Sequence, residues 1–148
     1  HRRFAILSGP EDSFVGNQRV EGAVTRLAHH GLAAQVLPGR FDHESGAEAL
    51  RTVMQSAKRP DALICANDLM SIGAIDTARD EFGLSIPEDL SIVGFDGVGP
   101  AAWPSYRLTT IRQPVRRMTE AAVTMLLERI ANPDLPPEVR SFSGGLIE

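Results

Sequence analysis

The stretch "RPDALICANDLMSIGAIDTARDEFGLSIPEDLSIVGFDG", residues 59 to 97, contains a whole strand–helix–strand unit and decides the fold. It enters through Pro60 into an apolar run that ends at Ala66. No polar residue alternates within that run, which is the pattern of a strand covered on both faces. Asn67 and Asp68 follow at once, and Asp68 is placed to cap a helix whose Leu69, Ile72 and Ile75 face inward. Gly83 closes the helix, since glycine takes the left-handed stop at least cost. After a proline-containing turn, Ile86 to Phe95 reads as a further apolar strand that ends at Asp96.

The same alternation extends in both directions. Residues 3–7, "RFAIL", form a strand closed by Ser8, Gly9 and Pro10. From Gln18 to His30, Val20, Ala23, Val24, Leu27 and Ala28 repeat at helical spacing, and Gly31 stops the helix. "AAQVL" (33–37) is the next strand. Ser45 and Glu48 have the spacing of a capping box, and Ala47, Leu50 and Met54 form the buried stripe behind it. Residues 97 to 107 interrupt the rhythm, and "LTTIRQP" (108–114) is extended again. Val115 to Ala131 is the strongest helical pattern, with Met118, Ala122, Met125, Leu126 and Arg129 along one side. "EVRSFSGGLIE" offers a last short strand. Apolar strands separated by amphipathic helices specify an α/β fold, an open and mainly parallel sheet with helices on both faces.

Bulk properties exclude several classes. The 148 residues are enough for one domain, with 43% hydrophobic and 23% charged residues. A net charge of −4 gives no electrostatic reason to bind nucleic acid or an anionic membrane directly. No run approaches the roughly 18 apolar residues of a membrane span. The single cysteine, Cys65, excludes an internal disulfide framework and suits a reducing compartment.

In such a sheet, ligands bind outside the carboxyl ends of the strands. Those ends carry Ser8-Gly9-Pro10, Arg40-Phe41-Asp42, Asn67-Asp68 and Asp96. Amide, carboxylate, guanidinium and an aromatic ring together suit a ligand with many hydroxyls. Each has a structural alternative: Asn67 and Asp68 as strand exit and helix cap, Asp96 as a turn residue, Arg19 as a solvated helix residue, Phe41 as core. Enzyme chemistry finds little support. "GVGPAA" (97–102) lacks the helix that a dinucleotide loop opens, the histidines have no metal spacing, and no nucleophile elbow or phosphate loop occurs. A phosphoacceptor domain built on Asp96 would need an acidic pair and a strand-end lysine, and Lys58 is the only lysine.

The long stretch above, followed by "LTTIRQP", closely resembles the LacI/GalR family of bacterial transcriptional regulators, in its periplasmic-binding-protein-like effector domain. The likeness runs from "HRRFAILSGP" and "GNQRVEG" through "PGRFDHESG" to "PPEVRSFSGGLIE". It implies that Asn67 hydrogen-bonds an effector, that Asp68 is structural, and that Arg19 clamps hydroxyls or carboxylates. Asp96 would be the carboxylate ending the "GFD" strand, Phe41 the stacking aromatic, Gln113 a crossover glutamine and Ser13 a lesser contact.

The resemblance also implies an arrangement. Residues 1–114 would form the C-terminal lobe of the effector domain, the helix 115–131 would pack on an N-terminal lobe, and 132–148 would return. In the family a helix-turn-helix headpiece and a hinge helix come before these lobes. The expected function is effector sensing by a cytoplasmic DNA-binding regulator, with no cofactor and operator DNA reached only through the headpiece. A sugar or sugar derivative is the expected effector. The expected partner is a second copy, paired through the outer face of the helix from Asp68, with Ile72, Ile75, Arg79 and Trp103 at the contact. A periplasmic sugar-binding protein of a transport system is the alternative.

Overall fold

The computed structural model describes residues 1–148. In chain order the elements are β1 (Phe4–Leu7), α1 (Phe14–Ala28), β2 (Ala34–Leu37), α2 (His43–Met54), β3 (Ala62–Cys65), α3 (Asp68–Asp80) and β4 (Ser91–Asp96). A short 3-10 turn at Gly99–Ala102 leads to β5 (Thr109–Arg112), α4 (Val115–Ala131) and β6 (Gly145–Ile147). The sheet order is β2-β1-β3-β4-β5-β6. The first five strands pair in parallel, and β6 closes the edge antiparallel to β5.

Strand register explains where the core lies. Ala5 pairs with Leu63 and Leu63 with Ile92, so these side chains share a face. They join Leu50, Val53 and Met54 of α2 and Met70, Ala74 and Ile75 of α3 in a core of 18 buried residues. The two helices meet at backbone distance. A side chain at Gly46 would run into the Met70 carbonyl, and one at Gly73 into that of His43. The opposite face carries Ile6, Ile64, Val93, Phe95 and Ile111 and receives only α1, leaving a recess of about 260 Å³. Helices therefore lie on both faces, but unequally. Right-handed crossovers explain the split, because β1 to β2 moves one way across the sheet and β2 to β3 to β4 the other.

Several local expectations are corrected. The cap of α2 is Asp42, which accepts from Ser45 N at 2.7 Å, so the helix starts before the Ser45–Glu48 pair. Glu48 instead pairs with Arg40. The cap of α3 is Asn67, one residue before Asp68, with its side chain accepting from Met70 N. Leu69 is 43% exposed, whereas Ile72 and Ile75 are 6% and 1% exposed. Both isoleucines are used within this chain, so they cannot form an outward contact face. The α1 helix begins at Phe14, ahead of the apolar spacing, because Ser13 accepts from Gly16 N. No residue of α4 is buried.

Candidate functional site

Residues that follow or end β1, β2, β3, β4 and β5 meet residues of α1 beyond the carboxyl ends of the strands. The Arg19 guanidinium, on the second turn of α1, lies 4.0 Å from the Phe95 ring centroid. One of its nitrogens pairs with Asp96 Oδ1 at 3.0 Å, and the other donates to the Ala66 carbonyl at 2.6 Å. Gln113 donates its amide to the same Asp96 oxygen. Asp96 itself stands at φ 124°, a region that side chains rarely occupy, and Gly97 follows at φ 71°. Strained backbone of this kind persists where the surroundings over-determine it, commonly at functional sites. Arg19 and Asp96 neutralise each other, and the second carboxylate oxygen of Asp96 has no protein donor.

Phe41 and Asn67 lie beside this pair, past the ends of β2 and β3, and Phe41 also packs against the core. Phe41 also has a left-handed backbone, at φ 63°. Its ring tip fills the space above Gly9, and a side chain at Gly16 would come within 3.2 Å of it. Asn67 donates to the Phe41 carbonyl at 2.9 Å while its oxygen caps α3 at 3.0 Å. It is 6% exposed. Asn67 thus has a structural role of the kind its sequence offered, as the cap of α3, and it also fixes the Phe41 carbonyl.

Asp68 is wholly buried and accepts from Val98 N at 2.9 Å and from Thr110 Oγ1 at 2.6 Å. Its role is structural, as the resemblance implied. Ser13 lies at the cleft as the cap of α1, its oxygen already engaged by Gly16 N. Arg40 turns away to Asp42 and Glu48 on the surface. Every buried polar side-chain atom has a partner.

Sequence reasoning missed Phe95, which supports Arg19, and Phe14, 75% exposed beside the same opening. Phe95 was hidden because β4 read as uniformly buried, although strand alternation turns it to the α1 face. Phe14, Arg19, Phe95, Gln113, Met118 and Phe142 are among the residues lining an open recess of about 600 Å³. No group of three or more His, Cys, Asp or Glu is assembled as a metal site. No helix is long and apolar enough to cross a membrane.

The whole chain, residues 1–148, matches the periplasmic binding protein-like domain. The chain belongs to that family. Within it, the similar proteins are LacI/GalR-type transcriptional regulators rather than enzymes. The HTH-type transcriptional repressor PurR of Klebsiella pneumoniae is 38% identical over 135 residues, covering 89% of this chain and 39% of that protein. A LacI family transcriptional regulator from Mycobacterium smegmatis superposes with a TM-score of 0.91 at 30% identity, over 100% of this chain and 56% of that one. The transcriptional regulator CelR, in complex with cellobiose, gives 0.93 at 30% identity, over 100% and 46%. This periplasmic-binding-protein-like chain therefore spans well under two thirds of the curated relatives it matches, and it has the LacI/GalR effector-domain fold.

Proposed function

We propose that this chain is the C-terminal lobe of the effector domain of a LacI/GalR-type regulator, and that its effector is a neutral, polyhydroxylated molecule, a sugar or sugar derivative. The observation that carries the effector class is the Arg19–Asp96 pair at 3.0 Å. Because the pair cancels its own charge, an added anion would have to compete with Asp96 for the Arg19 guanidinium. Neighbouring hydroxyls can instead donate to the free Asp96 oxygen, while an apolar sugar face rests on Phe41.

Residues 1–114 and 132–148 belong to this lobe, and α4 packs on the other one. Closure of two lobes around the effector would bias the DNA-binding headpieces by differential affinity, in a cytoplasmic homodimer. The regulator relatives support this reading over the transport alternative. Calorimetric titration of the intact protein with neutral mono- and disaccharides, purines and sugar phosphates tests it. Saturable binding confined to the neutral sugars is expected, and preference for a purine or an anion would overturn the effector class.

A further inference from the structure

Phe41 holds a conformation that its own chemistry disfavours. A bulky residue at φ 63° crowds its side chain against the backbone, so something outside the residue must hold it there. Two neighbours meet that need. The Asn67 amide donates to the Phe41 carbonyl at 2.9 Å, fixing the peptide that the left-handed turn presents. Gly9, at the end of β1, has no side chain, and a Cβ there would overlap the Phe41 ring tip.

Building on the reading of this cleft as an effector site, we propose that Gly9 and Asn67 are positioning residues for the Phe41 aromatic wall. Gly9 leaves the slot that the ring tip enters, and Asn67 pins the backbone that aims it. Through Phe41, Asn67 also acts on the effector indirectly. Its oxygen is committed to Met70 N, one amide hydrogen to Phe41, and only 6% of the residue is exposed. Asparagine suits the position because it is both an acceptor for the helix cap and a donor for the strap. Aspartate is as good a cap but has no donor.

That difference separates strap from cap. The intact regulator, carrying glycine labelled with ¹³C at Cα, reports the Phe41 ring through its ring current on Gly9. The Gly9→Ala variant identifies the Gly9 signal by its loss, and Phe41→Leu gives the signal's position without a ring. In Asn67→Asp and Asn67→Ser the Gly9 signal is expected to move toward the Phe41→Leu position, and the melting temperature to fall, because the Phe41 carbonyl loses its donor. An unmoved signal in both variants overturns the strap. In Gly9→Ala the proximity of the Phe41 ring to Gly16 is expected to disappear from nuclear Overhauser spectra, and its survival overturns the slot.

Cellobiose is the binding probe. Gly9→Ala and Asn67→Asp should each weaken its calorimetric affinity about as much as Phe41→Leu does, on the order of tenfold. Wild-type affinity in variants whose Gly9 signal has moved overturns the positioning role. If the wild type ignores cellobiose while the Gly9 signal behaves as expected, the positioning pair stands and the sugar reading is what falls.

Discussion

Asp68, at the start of α3, accepts a 2.6 Å hydrogen bond from Thr110, in the middle of β5, and both side chains are almost wholly buried. The bond ties a helix that follows β3 to a strand two places along the sheet. Gly94 lies beside it, and any side chain there would overlap Asp68 Oδ1. Further along the same two strands, Gln113 donates to Asp96. The segments "SIVGFD" and "LTTIRQP" are therefore one hydrogen-bonded unit, with Gly94 and Thr110 serving Asp68, and Gln113 serving the cleft carboxylate.

The first prediction concerns that bond. Asp68→Ala leaves the Thr110 hydroxyl and the Val98 N–H buried without an acceptor, so it should cost about 3 kcal/mol or more. Asp68→Asn keeps the shape and should cost less, roughly 1.5–3 kcal/mol. Urea unfolding measures both. A loss below about 1 kcal/mol for the alanine variant would remove Asp68 from the framework.

In the proposed effector site, Asp96 should separate sensing from folding. In the intact regulator, Asp96→Ala should abolish the effector's influence on operator binding and leave operator affinity largely unchanged. Gel-shift titrations with and without effector are the measurement. Ordinary induction by this variant contradicts the assignment.

Cys65 yields a prediction about pH. Burial, above all, pushes its thiol up to about 12, with Asp68 adding to the rise and Ser71 opposing it. The folded state therefore keeps the proton where the unfolded chain releases it. Stability should be full below the unfolded value near 9.0 and fall as pH climbs from there toward about 12. A disulfide reagent at pH 8 should accordingly label Cys65 only as fast as the chain opens. Labelling as fast as a free thiol would show that the site is not closed.

The strand–helix alternation, the parallel sheet and the grouping of Arg19, Phe41, Asn67 and Asp96 at the strand ends were all legible, because period and punctuation are local properties. What the pattern could not carry was which of two adjacent polar residues caps a helix. Asn67 and Asp68 are both good caps, and only the burial of Asp68 against Thr110 decides between them. The Phe41 conformation was equally hidden, since no propensity assigns a left-handed backbone to phenylalanine. Ile72 and Ile75 satisfied two readings at once, and packing within the lobe took both of them.

That correction changes the expected dimer contact. Trp103 is 57% exposed, and nearby Arg79 donates to the Ser105 carbonyl at 2.6 Å. In the proposed homodimer, Trp103→Ala should weaken self-association in sedimentation without lowering the melting temperature. Ile72→Ala should do the reverse, costing about 2–5 kcal/mol as a core truncation. Unchanged association in the Trp103 variant would move the interface elsewhere.

The helix α4 tests the two-lobe arrangement. Leu126, Leu127 and Ile130 are 60%, 61% and 67% exposed, and Met118 is 39% exposed. Apolar patches of this kind mark surfaces that bind something. The sheet does not cover them, and the proposed arrangement would set them against another lobe. Leu126→Gln makes the test quantitative. In the isolated 148-residue chain the side chain is already wet, so the change should alter stability by no more than about 0.5 kcal/mol. In the intact protein the same leucine, covered by the second lobe, should lose the roughly 1.5–3 kcal/mol that burial of a large apolar side chain supplies. Chemical denaturation of the two proteins side by side gives the comparison. Equal losses in both contexts would mean that α4 stays on the surface, and residues 115–131 would then have to be assigned to this lobe.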